Sequence, residues 1–197
     1  MKGMADDAKL FIPLLLGTSR KNRESEHVAR WVFKKIEDRD DIETKFFDVR
    51  DFELPHDEYG TAIGHLFPEW RDAIIKADGL VIVTPEYNHG YPGNLKSVLD
   101  LLLKEYIHKV VAFVGVSAGP WGGTRVIEAC VPMVRELGLS VTFADLNFPK
   151  VKTKFDDEGN LLDEAYEKRV QDFLDELVWM ASTLRWGRAN LTSKFHT

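Results

Sequence analysis

Five apolar runs of strand length alternate along this chain with amphipathic segments of helix length, and that alternation leaves few ways to fold. The strand-like runs are residues 10–16, 43–49, 80–84, 110–117 and 140–145. Helical spacing covers residues 25–36, 69–77, 95–104, 124–137 and 163–184. In the last of these, Tyr166, Val170, Phe173, Leu174, Leu177, Val178, Ala181 and Leu184 recur along one helix face. Strands joined through helices run parallel, and a parallel sheet covered on both sides reads as continuous apolar runs. The expected fold class is therefore α/β: a doubly wound, five-stranded parallel sheet with helices on both faces. Gly138 stands where the fourth helix needs a C-terminal cap. Pro13 falls inside the first run and cannot donate to a ladder, so the strand starts after it or a bulge absorbs it.

With 197 residues and no internal repeat or linker, one domain over residues 10–188 is expected, flanked by a polar tail at 1–9 and a C-terminal tail at 189–197. The balance of 26 basic against 32 acidic residues, net −6, argues against a nucleic-acid or anionic-membrane partner. Residues 10–16 are too short to span a bilayer, and no small-residue cleavage pattern follows them. Cys130 is the only cysteine, so no intrachain disulfide can form, and a cytoplasmic location is expected. It lies on the apolar face of a helical segment, where packing is the simplest role. The six histidines show no paired ligand spacing with acids or Cys130, so no metal site is expected.

Three strand-to-helix loops carry the chemistry. The first, Gly17-Thr18-Ser19-Arg20-Lys21-Asn22-Arg23-Glu24-Ser25, places hydroxyls, backbone N–H groups and a guanidinium before a helix, which is what a phosphate requires. It lacks the glycine spacing of the nucleoside-triphosphate and dinucleotide loops. The second, Thr84-Pro85-Glu86-Tyr87-Asn88-His89-Gly90-Tyr91-Pro92-Gly93, fixes an irregular backbone at a strand end and adds two aromatic rings. The third, Ser117-Ala118-Gly119-Pro120-Trp121-Gly122-Gly123-Thr124, has three glycines that permit close backbone approach to a ligand. Each loop also reads singly as an ordinary turn. In a doubly wound sheet all three open on the same carboxyl edge.

In this order, Gly17-Thr18-Ser19-Arg20, Pro85-Glu86-Tyr87-Asn88 with Pro92-Gly93 and Leu95-Lys96, and Ser117-Ala118-Gly119 with Gly122-Gly123 resemble the NAD(P)H-dependent FMN reductases. That family has a flavodoxin-like fold and includes flavin, quinone, azo-dye and chromate reductases. The resemblance implies FMN as cofactor and NADPH or NADH as co-substrate. Ser19, Arg20 and Ser25 would hold the FMN phosphate. Pro85, Glu86, Tyr87 and Asn88 would line the ring, and Ser117, Gly119, Gly122 and Gly123 would complete the opposite wall. Many members have Ser-x-Asn soon after the arginine; here the loop is longer and His27 stands at the Asn position. A homodimer or homotetramer is implied, with Trp121 near the subunit boundary and residues 50–68 as a lid or contact segment. The flavin carries the chemistry, so no side chain is named as catalytic acid or base.

Two other readings compete. An FMN protein of this kind can be an electron carrier or redox sensor without turnover. Gly115-Val116-Ser117-Ala118-Gly119 also matches Gly-x-Ser-x-Gly, the nucleophile elbow of serine hydrolases. Its triad would need a later histidine, and only His196 qualifies.

Overall fold

The computed structural model describes residues 8–156 and 158–195. The main sheet contains β2 (Leu14–Leu16), β4 (Phe46–Asp48), β5 (Gly79–Pro85), β6 (Val110–Val116), β7 (Ser140–Val141) and β8 (Leu146–Phe148). Its order is β4-β2-β5-β6-β7, with β8 also on β6, and every pairing is parallel. This is the flavodoxin-like order in which the chain steps from the second strand position back across the first to the third. Six strands appear where five were expected, because the last position is shared. β7 pairs with the start of β6 at Val110–Val111, and β8 pairs with its end at Val114–Val116. Between them the chain leaves the sheet, and Phe143 is exposed.

Pro13 divides the first strand as its missing donor requires. β1 (Leu10–Phe11) pairs with β3 (Ile42–Glu43), and the ladder resumes at β2 after the proline. The Pro13 carbonyl still accepts from Val81 N at 2.9 Å, so the break costs a donor and not the register.

Alternate strand residues feed two cores. Leu15, Leu80, Ile82, Val111 and Phe113 face α2 (Pro68–Lys76), α3 (Gly93–Leu99) and α4 (Thr124–Glu136). Leu14, Leu16, Val81, Val83, Ala112 and Val114 face α1 (Ser25–Glu37) and α5 (Ala165–Asn190). Each fully buried aliphatic side chain contributes roughly 1.5–3 kcal/mol, so two filled faces hold the sheet rigid beneath its loops. α3 is shorter than the sequence spacing predicts. After Leu99 its bonds tighten to Leu101 N–Val98 O and Leu102 N–Leu99 O, a one-turn closure. Gly138 caps α4 as expected: its φ is +85°, and Leu139 N reaches Val134 O at 3.0 Å. α5 runs past residue 184 because Arg185 and Arg188 anchor its last turns on the buried Asp78. Residues 50–68 fold down on the first core, where Phe52, Leu54, Ile63 and Phe67 pack. No helix among the described residues is long and apolar enough to cross a membrane.

Candidate functional site

The strand order reverses between β2 and β5, and that switch point is where an open α/β sheet leaves a crevice beyond its carboxyl ends. A cleft of ≈ 490 Å³ lies there. It is lined by Arg20, Lys21, Asn22, Arg23, Glu24 and Ser25 from the loop after β2, by Pro85, Glu86 and Tyr87 after β5, by Val116, Ser117 and Ala118 after β6, and by Val151 and Lys152 after β8.

The first loop is held from below by Arg23. Its guanidinium is buried and forks onto Asp48 at the end of β4, with Nη1 donating to Oδ1 at 2.7 Å. It also donates to the Thr18 carbonyl and, through Nε, to Glu26 at 3.2 Å. Burial works against both charges, and the pairing outweighs it: the Asp48 carboxyl lies below its ordinary pKa and Arg23 above its own. Arg23 is therefore occupied by the fold, whereas the Arg20 side chain stays exposed, with its guanidinium 5.8 Å from the centroid of the Tyr87 ring. Next to them α1 begins at Ser25 with no side-chain cap. Ser25 Oγ is buried and makes no hydrogen bond. An open helix N-terminus beside an unsatisfied hydroxyl offers the donors and the dipole sign that an anion requires.

The second loop turns tightly. Tyr87 and Gly90 exchange both backbone bonds at 2.9 Å, with Asn88 at φ +50° and His89 at φ +66° between them. These are the dihedral signs of a type I′ turn, which Asn tolerates. Asn88 is thus an exposed turn tip. Tyr87 OH bonds Thr18 Oγ1 at 3.0 Å and ties the second loop to the first. The Glu86 side chain is 5% exposed; Arg125 pairs with Oε1, while Oε2 has no partner. Arg125 also donates to His89 Nε2 at 2.7 Å and stacks over Trp121, so it joins the second loop to the third.

In the third loop Ser117 Oγ donates to Gly119 O at 2.9 Å and accepts from Gly122 N at 2.8 Å. The hydroxyl proton is thus given to a backbone carbonyl of the turn and not to a base, and His196 lies outside the described residues. Gly122 and Gly123 have φ of +63° and +84° and face inward, Gly122 against Asn147 and Pro149 at the end of β8 and Gly123 against Gly115 and Val116 of β6. Gly119 is exposed, and a Cβ added to it would meet nothing.

The cleft thus brings together Arg20, Ser25, Pro85, Glu86, Tyr87 and Ser117. Ser19, Asn88, Gly119, Gly122 and Gly123 belong to the same loops but do not line it. Lys21, Asn22, Arg23, Glu24, Ala118, Val151 and Lys152 line it without having been singled out. For the last two, the apolar Leu146-Asn147-Phe148 followed by Pro149 was the available signal of one more strand and turn. His27 does not line this cleft; its ring stacks 6.0 Å from that of Phe155.

The NADPH-dependent FMN reductase family matches residues 12–153, most of the chain. The chain belongs to that family. It is accordingly an oxidoreductase that uses FMN with NAD(P)H as reductant. A 2-hydroxy-1,4-benzoquinone reductase of a Burkholderia species is 27% identical over 177 residues, covering 85% of this chain and 93% of that one. An NADPH azoreductase of Bacillus sp. strain OY1-2 is 32% identical over 116 residues, covering 57% of this chain and 62% of its own length. Among solved structures, the NAD(P)H:(acceptor) oxidoreductase FerB of Paracoccus denitrificans superposes with a TM-score of 0.74 at 21% identity, over 88% of this chain and 98% of that one. That likeness establishes the flavodoxin-like fold.

The cleft's own chemistry fits the cofactor. Two buried polar atoms without partners, Ser25 Oγ and Glu86 Oε2, belong to residues that line it. A phosphate would accept from the first, and a ring N–H would donate to the second.

Proposed function

We propose that this reductase holds FMN across the switch-point cleft and passes two electrons from NAD(P)H to a quinone-type acceptor. The carrying observation is the unpartnered, buried Ser25 hydroxyl at the uncapped start of α1, inside a cleft at the switch point. In this reading Ser19, Arg20 and Ser25 hold the phosphate. Pro85, Glu86, Tyr87 and Asn88 flank the ring, and Ser117, Gly119, Gly122 and Gly123 shape the facing wall. Bound FMN supplies the hydride chemistry. The chain's part is to orient and to exclude water. Arg23 fixes the first loop, and the Tyr87–Thr18 bond and Arg125 bridge lock the loops to one another. A quinone acceptor is favoured by the reductase relatives named for quinones. The reading includes a homodimer or homotetramer, with the exposed Trp121 at the boundary, and a cytoplasmic location suited to the single buried thiol. Sedimentation of the purified protein measures the first of these.

Purified protein given FMN is expected to show the two visible bands of an oxidised flavin, and anaerobic NADPH is expected to bleach them. Bands that NADPH leaves untouched would instead mark a carrier or sensor. Ser25→Ala sharpens the assignment because its two effects have opposite signs. Removing an unsatisfied buried hydroxyl should leave the apoprotein equally or more stable. FMN affinity should fall about 10- to 150-fold, the equivalent of one charge-assisted hydrogen bond. Titration of FMN fluorescence against each protein measures the second effect, and unchanged affinity would remove Ser25 from the phosphate site.

A further inference from the structure

We propose that Arg125 is a positioning residue that cancels the Glu86 carboxylate in the cleft wall and thereby sets how readily the bound flavin is reduced; this rests on the FMN reading above. Glu86 follows β5 directly, and its backbone N donates to Val116 O at 2.9 Å, which pins it to the end of β6. The residue lines the cleft, and its side chain is buried. A carboxylate there keeps its charge only beside a partner. Arg125 Nη2 meets Oε1, and no other cation among the described residues pairs with this carboxylate. Oε2 has no hydrogen-bond partner.

Local chemistry does not account for this arginine. Arg125 is the second residue of α4, where the helix dipole disfavours a cation. Its Nε is buried and makes no hydrogen bond. Three contacts outside the helix hold the guanidinium instead: the Glu86 carboxylate, the His89 ring, and the Trp121 ring with its centroid 5.4 Å away. Arginine has only donors, so His89 Nε2 accepts from Nη1 at 2.7 Å. A planar group fixed on three sides keeps its charge at Glu86 Oε1. The reaction makes that placement matter. Two electrons and one proton arrive together as hydride from NAD(P)H, which adds one negative charge to the flavin ring and leaves the nicotinamide cationic. A bare carboxylate in the wall beside the ring would oppose that charge, and in a low-dielectric wall the repulsion is strong. Paired with Arg125, the wall is neutral. The cleft's other charged residues stand on the first loop and on the turn after β8, so compensation at the second loop falls to Arg125.

The test is an anaerobic redox titration of FMN-loaded wild type, R125A, R125K, E86Q and the double variant E86Q/R125A, together with titration of oxidised FMN into each apoprotein. R125A should weaken the binding of reduced FMN relative to oxidised FMN about tenfold or more, which lowers the midpoint potential by about 30 mV or more. E86Q leaves the cation uncompensated and should shift the potential the opposite way. The double variant should return that binding ratio to within about threefold of wild type, because the two charges act on each other. R125K keeps the charge and should stay close to wild type. A bridge that only ties the loops together would weaken oxidised and reduced FMN alike, with shifts of the same sign in R125A and E86Q. Either of those results, or an unchanged potential in E86Q, would overturn the proposal. If R125A does not fold, the opposite-signed shift in E86Q and the retained potential in R125K still decide it. A wild type that takes up no FMN would overturn the FMN reading itself, separately from Arg125.

Discussion

Arg23→Ala is expected to lower the stability of this protein by about 3–5 kcal/mol, the cost of leaving a buried carboxylate without its partner. The guanidinium is 2% exposed and its Asp48 partner 11%, so water cannot take its place. The loss also releases the Thr18 carbonyl and Glu26, so the first loop loses its floor and FMN affinity falls with it. The pH dependence has a definite sign. Burial pushes the Asp48 carboxyl up, but the bonds from Arg23 and from the Arg50 amide outweigh it and hold its pKa below the ordinary value. The pair therefore contributes fully above the unfolded carboxyl value of about 4 and is lost as pH falls through the lower folded value. Urea denaturation should show the full gap between wild type and variant from pH 7 to about 5, narrowing in more acid solution. A gap below about 1 kcal/mol at pH 7 would mean that the fork holds nothing the fold needs.

Gly123→Ala should be comparably damaging by a different route. At φ +84° an alanine is strained whatever the space around it. Here its Cβ would also stand 2.5 Å from Val116 N and 2.7 Å from the Gly115 backbone, neither of which can turn aside. The third loop must lift off β6, taking Ser117 and the start of α4 with it. A loss above about 3 kcal/mol, or insoluble protein, is expected. Gly119→Ala is the matched control, since its Cβ meets nothing and its stability should stay within about 0.5 kcal/mol of wild type. Thermal melts of the two variants compare them directly. Equal melting temperatures would show that the loop does not depend on its inward glycines.

The two variants also mark where sequence reading stopped. Three glycines in one loop, at 119, 122 and 123, look alike as letters. Only their placement separates two that seat the loop against a strand from one that faces open space. The arginines of the first loop divide in the same way. Arg20 and Arg23 are three residues apart in one polar run, yet one is exposed beside Tyr87 and the other is spent on Asp48. Asp48 is a distant strand end that no local pattern connects to that run. Val151 and Lys152 were out of reach for a related reason: the fifth strand position is built from two short segments, and the second was too brief to stand out.

What the sequence determined by itself was whatever follows from local periodicity and composition. The α/β class, the helix positions, the Gly138 cap, the difficulty at Pro13 and the three loops at the carboxyl edge all come from the spacing of apolar residues and from glycine and proline chemistry, which act within a few residues. What only the tertiary structure decided were the pairings across the sheet: which cation is free and which is neutralised, which hydroxyl lacks a partner, and which fourth loop completes the cleft. Those depend on groups far apart in the chain that meet only when the strand order reverses beside β2, and no residue's own neighbourhood records that encounter.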